Sequence, residues 1–221
     1  MVRLIIPSMG KRHLIDCIDS LKHIPFDYQL DLVLEGHNWP SAINIGLSRA
    51  TGDVILMDDD ARVLPDTFKD FDKYYPKADI FGFKLLFADG SIQHAGAYVK
   101  DNQIHHFGHG EAGGYDTTKY VCHVTTSFIY IKRKVLDKLK GMATDYPGDQ
   151  FEDCDFCFRA IKVGFKILYL PNEAIHLESA TKKTLDGFTD RMALNYAELK
   201  RRFFTPEYLS ILESYPHDAK I

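Results

Sequence analysis

"GDVILMDDDARV", Gly52 to Val63, sets three adjacent carboxylates directly behind an uninterrupted apolar run. The run has the length of a strand, and an apolar stretch without polar alternation belongs to a strand covered on both faces. Strands of that kind make parallel sheets between helices, so this stretch sets the fold class as α/β. Adjacent anions repel one another, and a fold keeps Asp58, Asp59 and Asp60 together only by recruiting a positive partner or leaving them solvated. In extended backbone, residues two apart project to one side, so Asp58 and Asp60 are placed to share a ligand while Asp59 faces elsewhere. Ligands of open α/β sheets collect at the carboxyl ends of the strands. A D-x-D there holds a hard divalent cation and leaves positions for diphosphate oxygens. A solvated acidic turn, or an N-cap cluster ahead of "ARVLPDTF", explains the same three letters.

Outward from this stretch, strand and helix patterns alternate. "VRLIIP" reads as a strand ended by Pro7, and Leu14, Ile15, Ile18 and Leu21 follow at helical spacing. "YQLDLVLE" is a second strand, and "SAINIGLSRATG" a second helix with Ser41 as N-cap and Gly52 near its end. After Pro65, "TFKDFDKYY" predicts a helix, and Asp89-Gly90 between two strand-like runs predicts a hairpin. The polar, Gly- and His-rich segment Lys100 to Thr118 reads as a long loop, with "YVCHV" and "SFIYI" as strands beyond it. "DCDFCFRAIKVG" is a helix closed by Gly164, and "FKILYLP" a strand stopped by Pro171. An amphipathic helix, "GFTDRMALNYAELKRRFF", and a shorter one from Pro206 complete the chain. The expected organisation is one α/β domain over 1–185 and a helical extension over 186–221 packing on it. The close in "PHDAKI" reads as part of something longer.

Composition narrows the function. A 221-residue chain suits one domain, and a formal charge of −4 with a pI near 6.2 lacks the Lys/Arg surplus that a nucleic-acid binder needs. No stretch approaches the roughly 18 apolar residues of a membrane span, and the apolar part of "MVRLIIPSMGKR" is short for a secretory signal. A cytoplasmic location is expected. Cys17, Cys122, Cys154 and Cys157 have no disulfide-like spacing and read as reduced thiols. Cys154 and Cys157 form a C-x-x-C that either fills core or binds zinc with Cys122 and His123.

A second constellation lies in "QFEDCDFCFRAIKVGFKILYLPNEAIH". Glu152, Asp153 and Asp155 fall at a helix N-terminus, where free N–H groups and the macrodipole favour anions. Capping accounts for one of them and leaves two. His176 follows a strand, so its imidazole can reach the sheet edge that carries Asp60. Two carboxylates plus an imidazole suit Mn²⁺ better than an all-oxygen Ca²⁺ site.

Taken with "LIIPSMGKRHLIDCIDSL", "DGSIQHAGAYV", "FIYIKRKVLDKLKG" and "DRMALNYAELKRRF", these stretches resemble the GT-A-fold glycosyltransferases of family 2, in particular the rhamnosyltransferase-type branch. The likeness runs through nearly the whole chain in order and extends to virus-encoded, capsid-decorating transferase domains, for which the location would be host cytoplasm. It implies a Rossmann-like, mostly parallel central sheet and an inverting, Mn²⁺- or Mg²⁺-dependent transfer from a nucleotide sugar to a glycan or glycoprotein acceptor. UDP ranks ahead of dTDP as the carrier. By this resemblance Asp58 and Asp60 bind metal and diphosphate, His176 completes the metal site, and Asp153 is the catalytic base with Glu152 beside it. Asp155, about 200° round the helix from Asp153, is the runner-up base; Arg159, four residues on, is its expected ion-pair partner.

The resemblance also places nucleotide contacts at Pro7, Ser8, Gly10, Asp59 and Asn44, and at Glu35, which stands in "VLEGHNW" where the family commonly has "VDNGS". Asn44 and Arg49 have capping or surface roles as the alternative. Gln93 and His94 fall near the donor sugar. His94, His105, His106, His109, Cys122 and His123 match no common closed zinc spacing and read as an acceptor-facing loop. "SATKKTLDG", with Lys182 and Lys183, either closes over the diphosphate or is a solvated linker. "LKRRFF" either touches an anionic membrane or docks Phe203 and Phe204 on the core. Two rivals stand beside this reading: a sugar-nucleotide pyrophosphorylase, and a glycan-binding domain that has lost turnover.

Overall fold

The computed structural model describes residues 1–36, 38–146, 150–177, 188–216 and 221. Its strands are β1 (Val2–Pro7), β2 (Tyr28–Val33), β3 (Val54–Met57), β4 (Ala61–Val63), β5 (Ile80–Leu86), β6 (Ile92–His94), β7 (Ala97–Lys100), β8 (Gln103–His106), β9 (Lys119–Tyr120), β10 (Phe128–Ile131) and β11 (Ile167–His176). Its helices are α1 (His13–Ser20), α2 (Trp39–Arg49), α3 (Phe71–Tyr74), α4 (Arg133–Leu139), α5 (Glu152–Lys162), α6 (Phe188–Phe203) and α7 (Pro206–Glu213). The main sheet runs β2-β1-β3-β10-β5-β11-β4. β1 is parallel to β2 and β3, and β5 is parallel to β11. β10 lies antiparallel between β3 and β5, and β4 antiparallel at the edge of β11. The α/β sheet expected from the apolar runs is therefore present, with β10 breaking it into two parallel sets.

Side chains alternate across this sheet, and both faces are apolar because both are covered. Ile5, Val54, Leu56, Ile129 and Tyr169 face one core, which α2, α5, α6 and α7 fill with Ile43, Leu47, Phe156, Leu199, Phe203, Tyr208 and Leu212. Leu4, Ile6, Ile55, Met57, Tyr130 and Leu168 face the other, closed by Cys17 and Leu21 and by Phe68 and Phe71. Each such large apolar side chain contributes about 1.5–3 kcal/mol on burial. Phe68 packs edge-on with ring centroids 5.1 Å from both Phe26 and Phe83. Gly46 lets α2 sit directly on β1, since a Cβ there would stand 2.4 Å from Ile5 Cγ2.

The C-terminal helices share the first core. Tyr208 donates its hydroxyl to Phe158 O at 2.8 Å, and Ile167 N–H donates to Tyr215 Oη at 2.8 Å. Phe203 is buried and Phe204 half-buried against the same cluster, so both rings dock inward. The proposed boundary at 185/186 lies outside the described residues. Among the described residues no helix is long and apolar enough to cross a membrane.

Five local readings change. The N-cap of α2 is Asn38, whose side chain accepts Ser41 N–H at 3.1 Å, and Ser41 is the third helical residue of that capping box. The Asp58–Asp60 triplet is a turn between β3 and β4 rather than extended strand, closed by Ala61 N–H to Asp58 O at 3.1 Å. "TFKDFDKYY" forms turns and only a short α3, because Asp70 takes a left-handed φ of 57° while Phe68 and Phe71 sink into the core. Within the expected long loop, β7 and β8 pair as a hairpin. Asp101 and Asn102 at its tip have φ of 52° and 60°, the two left-handed residues that a tight two-residue turn requires. Pro171 does not stop β11: the register shifts between Leu170 and Glu173, and this bulge absorbs a residue without an N–H. β11 then continues to His176.

Candidate metal and catalytic site

The three carboxylates leave their turn in different directions. Asp59 Oδ2 accepts the Ser8 hydroxyl at 2.6 Å, and Gly10 N–H donates to the same Ser8 Oγ at 2.9 Å. Asp58 Oδ1 accepts the Trp39 Nε1–H at 2.8 Å from the first turn of α2. Asp58 Oδ2 and Asp60 Oδ1 turn to one imidazole, lying 3.4 and 3.1 Å from His176 Nε2. Continuation of β11 past Pro171 makes this possible, because the β4–β11 register sets His176 opposite Ala61, next to Asp60.

His176 is fixed from behind. Its Nδ1 lies 2.6 Å from Gln93 Oε1 on β6, an acceptor, so Nδ1 carries a proton and Nε2 faces the acids. A ring nitrogen anchored this way is how metal-binding histidines are oriented. Burial pulls the His176 pKa down, but the hydrogen bonds and charges of Asp58 and Asp60 carry it from 6.5 up to about 9. A proton thus sits where the carboxylates call for positive charge. One ligand atom from each of Asp58, Asp60 and His176 lies within 4.8 Å of the others, and two carboxylates with one imidazole fit Mn²⁺ or Mg²⁺.

The α5 acids divide in the same way. Asp153 is about a fifth exposed, accepts Cys154 N–H through Oδ1 at 2.8 Å, and holds Oδ2 3.2 Å from His123 Nε2. Burial pushes its carboxyl up, yet the neighbouring His123 imidazole and the Cys154 N–H hold it below the usual carboxylate range. It is an ionised acceptor at neutral pH. Asp155 is 1% exposed and points into protein. It takes Arg159 Nε at 2.5 Å, Tyr146 Oη at 3.1 Å and Arg202 at 3.4 Å, which makes it the joint of α5 with α6. Glu152 is buried at 6% exposure.

Strand β6 links the two groups: Gln93 holds His176, and next to it His94 lies with its ring 5.2 Å from that of His123, the neighbour of Asp153. Adjacent residues of one strand thus stand behind the metal-side imidazole and beside the neighbour of Asp153. Trp39 is the member of the site that sequence reasoning did not assign, and His123, read there as part of an acceptor-facing loop, was not paired with Asp153. Trp39 carried one usable signal, being the only tryptophan in the chain.

Other expected contacts fall differently. Pro7 and Ser8 stand at the carboxyl end of β1 beside Asp59, with Gly10 completing the loop at φ 71°. Glu35 is exposed and accepts from Arg49 at 3.1 Å, while Arg49 also meets Asp31 at 3.1 Å. Asn44 is occupied: Nδ2–H donates to Met142 O at 2.9 Å and Oδ1 accepts Met142 N–H at 2.8 Å. That clamp holds α2 against the Gly141 loop. Gly141 fits there at φ 139° only because it lacks a Cβ, which would meet Asn44 Oδ1 at 2.4 Å. The four cysteines are buried free thiols. Cys122 Sγ–H donates to Leu212 O at 3.2 Å and Cys157 Sγ–H to Val124 O at 3.6 Å, so the C-x-x-C fills core. Lys182 and Lys183 lie outside the described residues.

The fold has known relatives. A bacterial relative, "Uncharacterized protein y4gI" of Sinorhizobium fredii, is 28% identical over 158 residues, covering 66% of this chain and 17% of that protein. The chain thus spans under a fifth of that relative's length. Among solved structures, the mannosyltransferase PcManGT of Pyrobaculum calidifontis, in complex with GDP-Man and Mn²⁺, superposes with a TM-score of 0.60 at 15% identity. That match covers 96% of this chain and 68% of the other. S. aureus TarS 1-349 in complex with UDP-GlcNAc gives 0.61 at 14% identity, over 96% and 70%. At such identities these two carry the fold, which is that of GT-A glycosyltransferases. Residues 54–202, which include the acidic turn, β6, α5 and His176, match the family described as glycosyl transferase family group 2, and the chain belongs to that family.

Proposed function

We propose that this domain transfers a sugar from a nucleotide-sugar donor to an acceptor hydroxyl, with inversion at the anomeric carbon and dependence on Mn²⁺ or Mg²⁺. One observation carries the reading: Asp58 and Asp60 from the β3–β4 turn and His176 from the end of β11 present ligand atoms within 4.8 Å of one another at the carboxyl edge of the sheet. Held by these three, a divalent cation supplies the positive charge that a departing nucleoside diphosphate needs. Ser8, Gly10 and Asp59, already hydrogen-bonded together, line the nucleotide side with Pro7, and Glu35 lies farther out. Asp153, ionised beside His123, accepts the proton of the attacking hydroxyl through Oδ2. Glu152 is buried next to it at the head of α5 and is the second acid of the catalytic pair. A single base opposite the leaving group gives one in-line displacement. Complexes of fold relatives with GDP-Man and with UDP-GlcNAc support a nucleotide-sugar donor. UDP ranks ahead of dTDP, and a glycan or glycoprotein hydroxyl is the acceptor class.

Trp39 offers a direct test, since this sole tryptophan donates to the metal-side Asp58. Paramagnetic Mn²⁺ is expected to quench its fluorescence saturably, more tightly with nucleotide sugar present, and Asp60→Asn to abolish the response. Turnover with a UDP-sugar should release nucleoside diphosphate. Release of inorganic diphosphate would identify a pyrophosphorylase instead, and no metal-dependent quenching would remove the basis of the reading.

A further inference from the structure

Three histidines outside the carboxylate-rich trio converge in space. His94 comes from β6, His106 from the end of β8, and His123 from the segment after β9. One ring nitrogen from each lies within 4.8 Å of the others, and the ring centroids are 5.2–5.9 Å apart. The fold assembles this cluster by the β7–β8 hairpin and by the bridge that pins Ala97 to His123. His105 and His109 are not part of it. His105 stacks on Tyr98 and contacts Lys100 O at 3.2 Å, and His109 contacts Gln93 O at 2.8 Å.

His123 is only 3% exposed and neither ring nitrogen has hydrogen-bond geometry to a partner; its Nε2 merely stands 3.2 Å from Asp153 Oδ2. Apart from that ion-pair contact the buried ring has no hydrogen bond, and a buried nitrogen left unsatisfied costs of the order of 1–3 kcal/mol and calls for an explanation. His94 is buried at 4%, and only His106 reaches solvent. We propose that His94, His106 and His123 form a second metal site, selective for a borderline cation such as Zn²⁺ and distinct from the carboxylate-rich site at Asp58, Asp60 and His176.

The donor set decides the selectivity. Three imidazoles suit Zn²⁺, whereas Mg²⁺ and Mn²⁺ favour the oxygen-rich trio. Burial first, and then the neighbouring rings, depress the pKa of His94 and take His106 to about 4, so both rings are neutral; the lone pair of His94 Nε2 now accepts Thr125 N–H at the long distance of 3.3 Å, a contact that a metal on this ring has to displace. Tetrahedral ligation at about 2.1 Å asks for nitrogens roughly 3.4 Å apart. The present spacing closes to that by modest ring rotation, which exposed His106 is free to make. The fourth position falls to water or to Asp153. Cys154 also lies within reach of His123 and Asp153, but burial holds its thiol well up, making thiolate the costlier ligand. Zinc here engages the imidazole that faces Asp153, and it is expected to inhibit transfer. That consequence rests on the base assignment above; the metal site does not.

The test measures metal directly on the full chain. Metal-free Asp60→Asn protein, which lacks the carboxylate site, is titrated with Zn²⁺ against a chelator and with Co²⁺ by visible absorption. One equivalent bound, with the intense bands of tetrahedral Co²⁺, is expected. His106→Ala in that background should weaken zinc at least tenfold and erase the bands, with thermal unfolding of the metal-free protein unchanged because His106 is exposed. His123→Gln, read the same way, is the second variant. Zinc affinity that survives both changes, or that is already lost in Asp60→Asn alone, overturns the site. Either result leaves the transfer reading to be judged independently, by Mn²⁺ quenching of Trp39 in the wild-type protein.

Discussion

His176 couples the metal-free protein's stability to pH, and the effect has a definite size and sign. Its pKa rises from 6.5 in an unfolded chain to about 9 in the fold, where Asp58 and Asp60 overcome the cost of burial. At 1.36 kcal/mol per pH unit the difference is worth about 3 kcal/mol. Because the folded value is the higher one, this stabilisation is fully present below pH 6.5 and is lost as pH rises through 9. For a chain of this length, 1 kcal/mol moves the midpoint by about 2–4 °C, so Tm should fall by about 6–12 °C across the window. Other groups act outside it. His94 and His106, held neutral, destabilise on acidification below 6.5, and the Cys17 and Cys122 thiols, raised to about 12, add their own loss above 9. The assay is thermal unfolding in chelator from pH 6.5 to 9, with His176→Gln alongside. Wild type should show the slope and the variant a flat line. Saturating Mn²⁺ should remove the slope by replacing the proton. Equal slopes in both proteins, or none in wild type, would refute the reasoning.

Further outcomes follow from the same contacts. Asp153→Asn should keep Mn²⁺ quenching of Trp39 and lower transfer about 10²–10⁴-fold, read by nucleoside diphosphate release; near-normal turnover would remove Asp153 as base. Asp155→Asn should cost about 2–3 kcal/mol in urea unfolding, since Arg159, Arg202 and Tyr146 lose their shared acceptor, while the folded variant still turns over. Trp39→Phe, which frees Asp58 from its orienting donor, should weaken Mn²⁺ about tenfold by calorimetry without a comparable change in Tm. Gly46→Ala should destabilise by about 1–3 kcal/mol through overpacking against Ile5, with the site's metal affinity intact.

Much of the fold was legible because its strands are buried on both faces. Runs such as "VILM" and "FIYI" carry no alternation to confuse with a surface strand, and the helices between them keep a 3.6-residue period. The readings that failed depend on distant partners. Pro171 signals a stop locally, yet β5 and β4 hold β11 in the sheet on both sides of the bulge. "TFKDFDKYY" has helical composition, but Phe68 and Phe71 gain more from the aromatic core than a longer helix would return. Lys100 to Thr118 looked like loop because polar residues at the tip concealed a two-residue turn.

By itself, the sequence determined the α/β class, the acidic triplet behind a central strand and the cluster of acids at the head of α5. Each of these is written in neighbouring residues, where periodicity, burial and helix-end electrostatics act over a few positions. The tertiary structure alone decided which acids face the site. It sent Asp155 into the interior and left Asp153 against His123, spent Asn44 on Met142, and brought Gln93 behind His176. It also gathered His94, His106 and His123 from three segments. Strand register and one β-bulge fix those meetings, and both follow from pairing energies summed over the whole sheet.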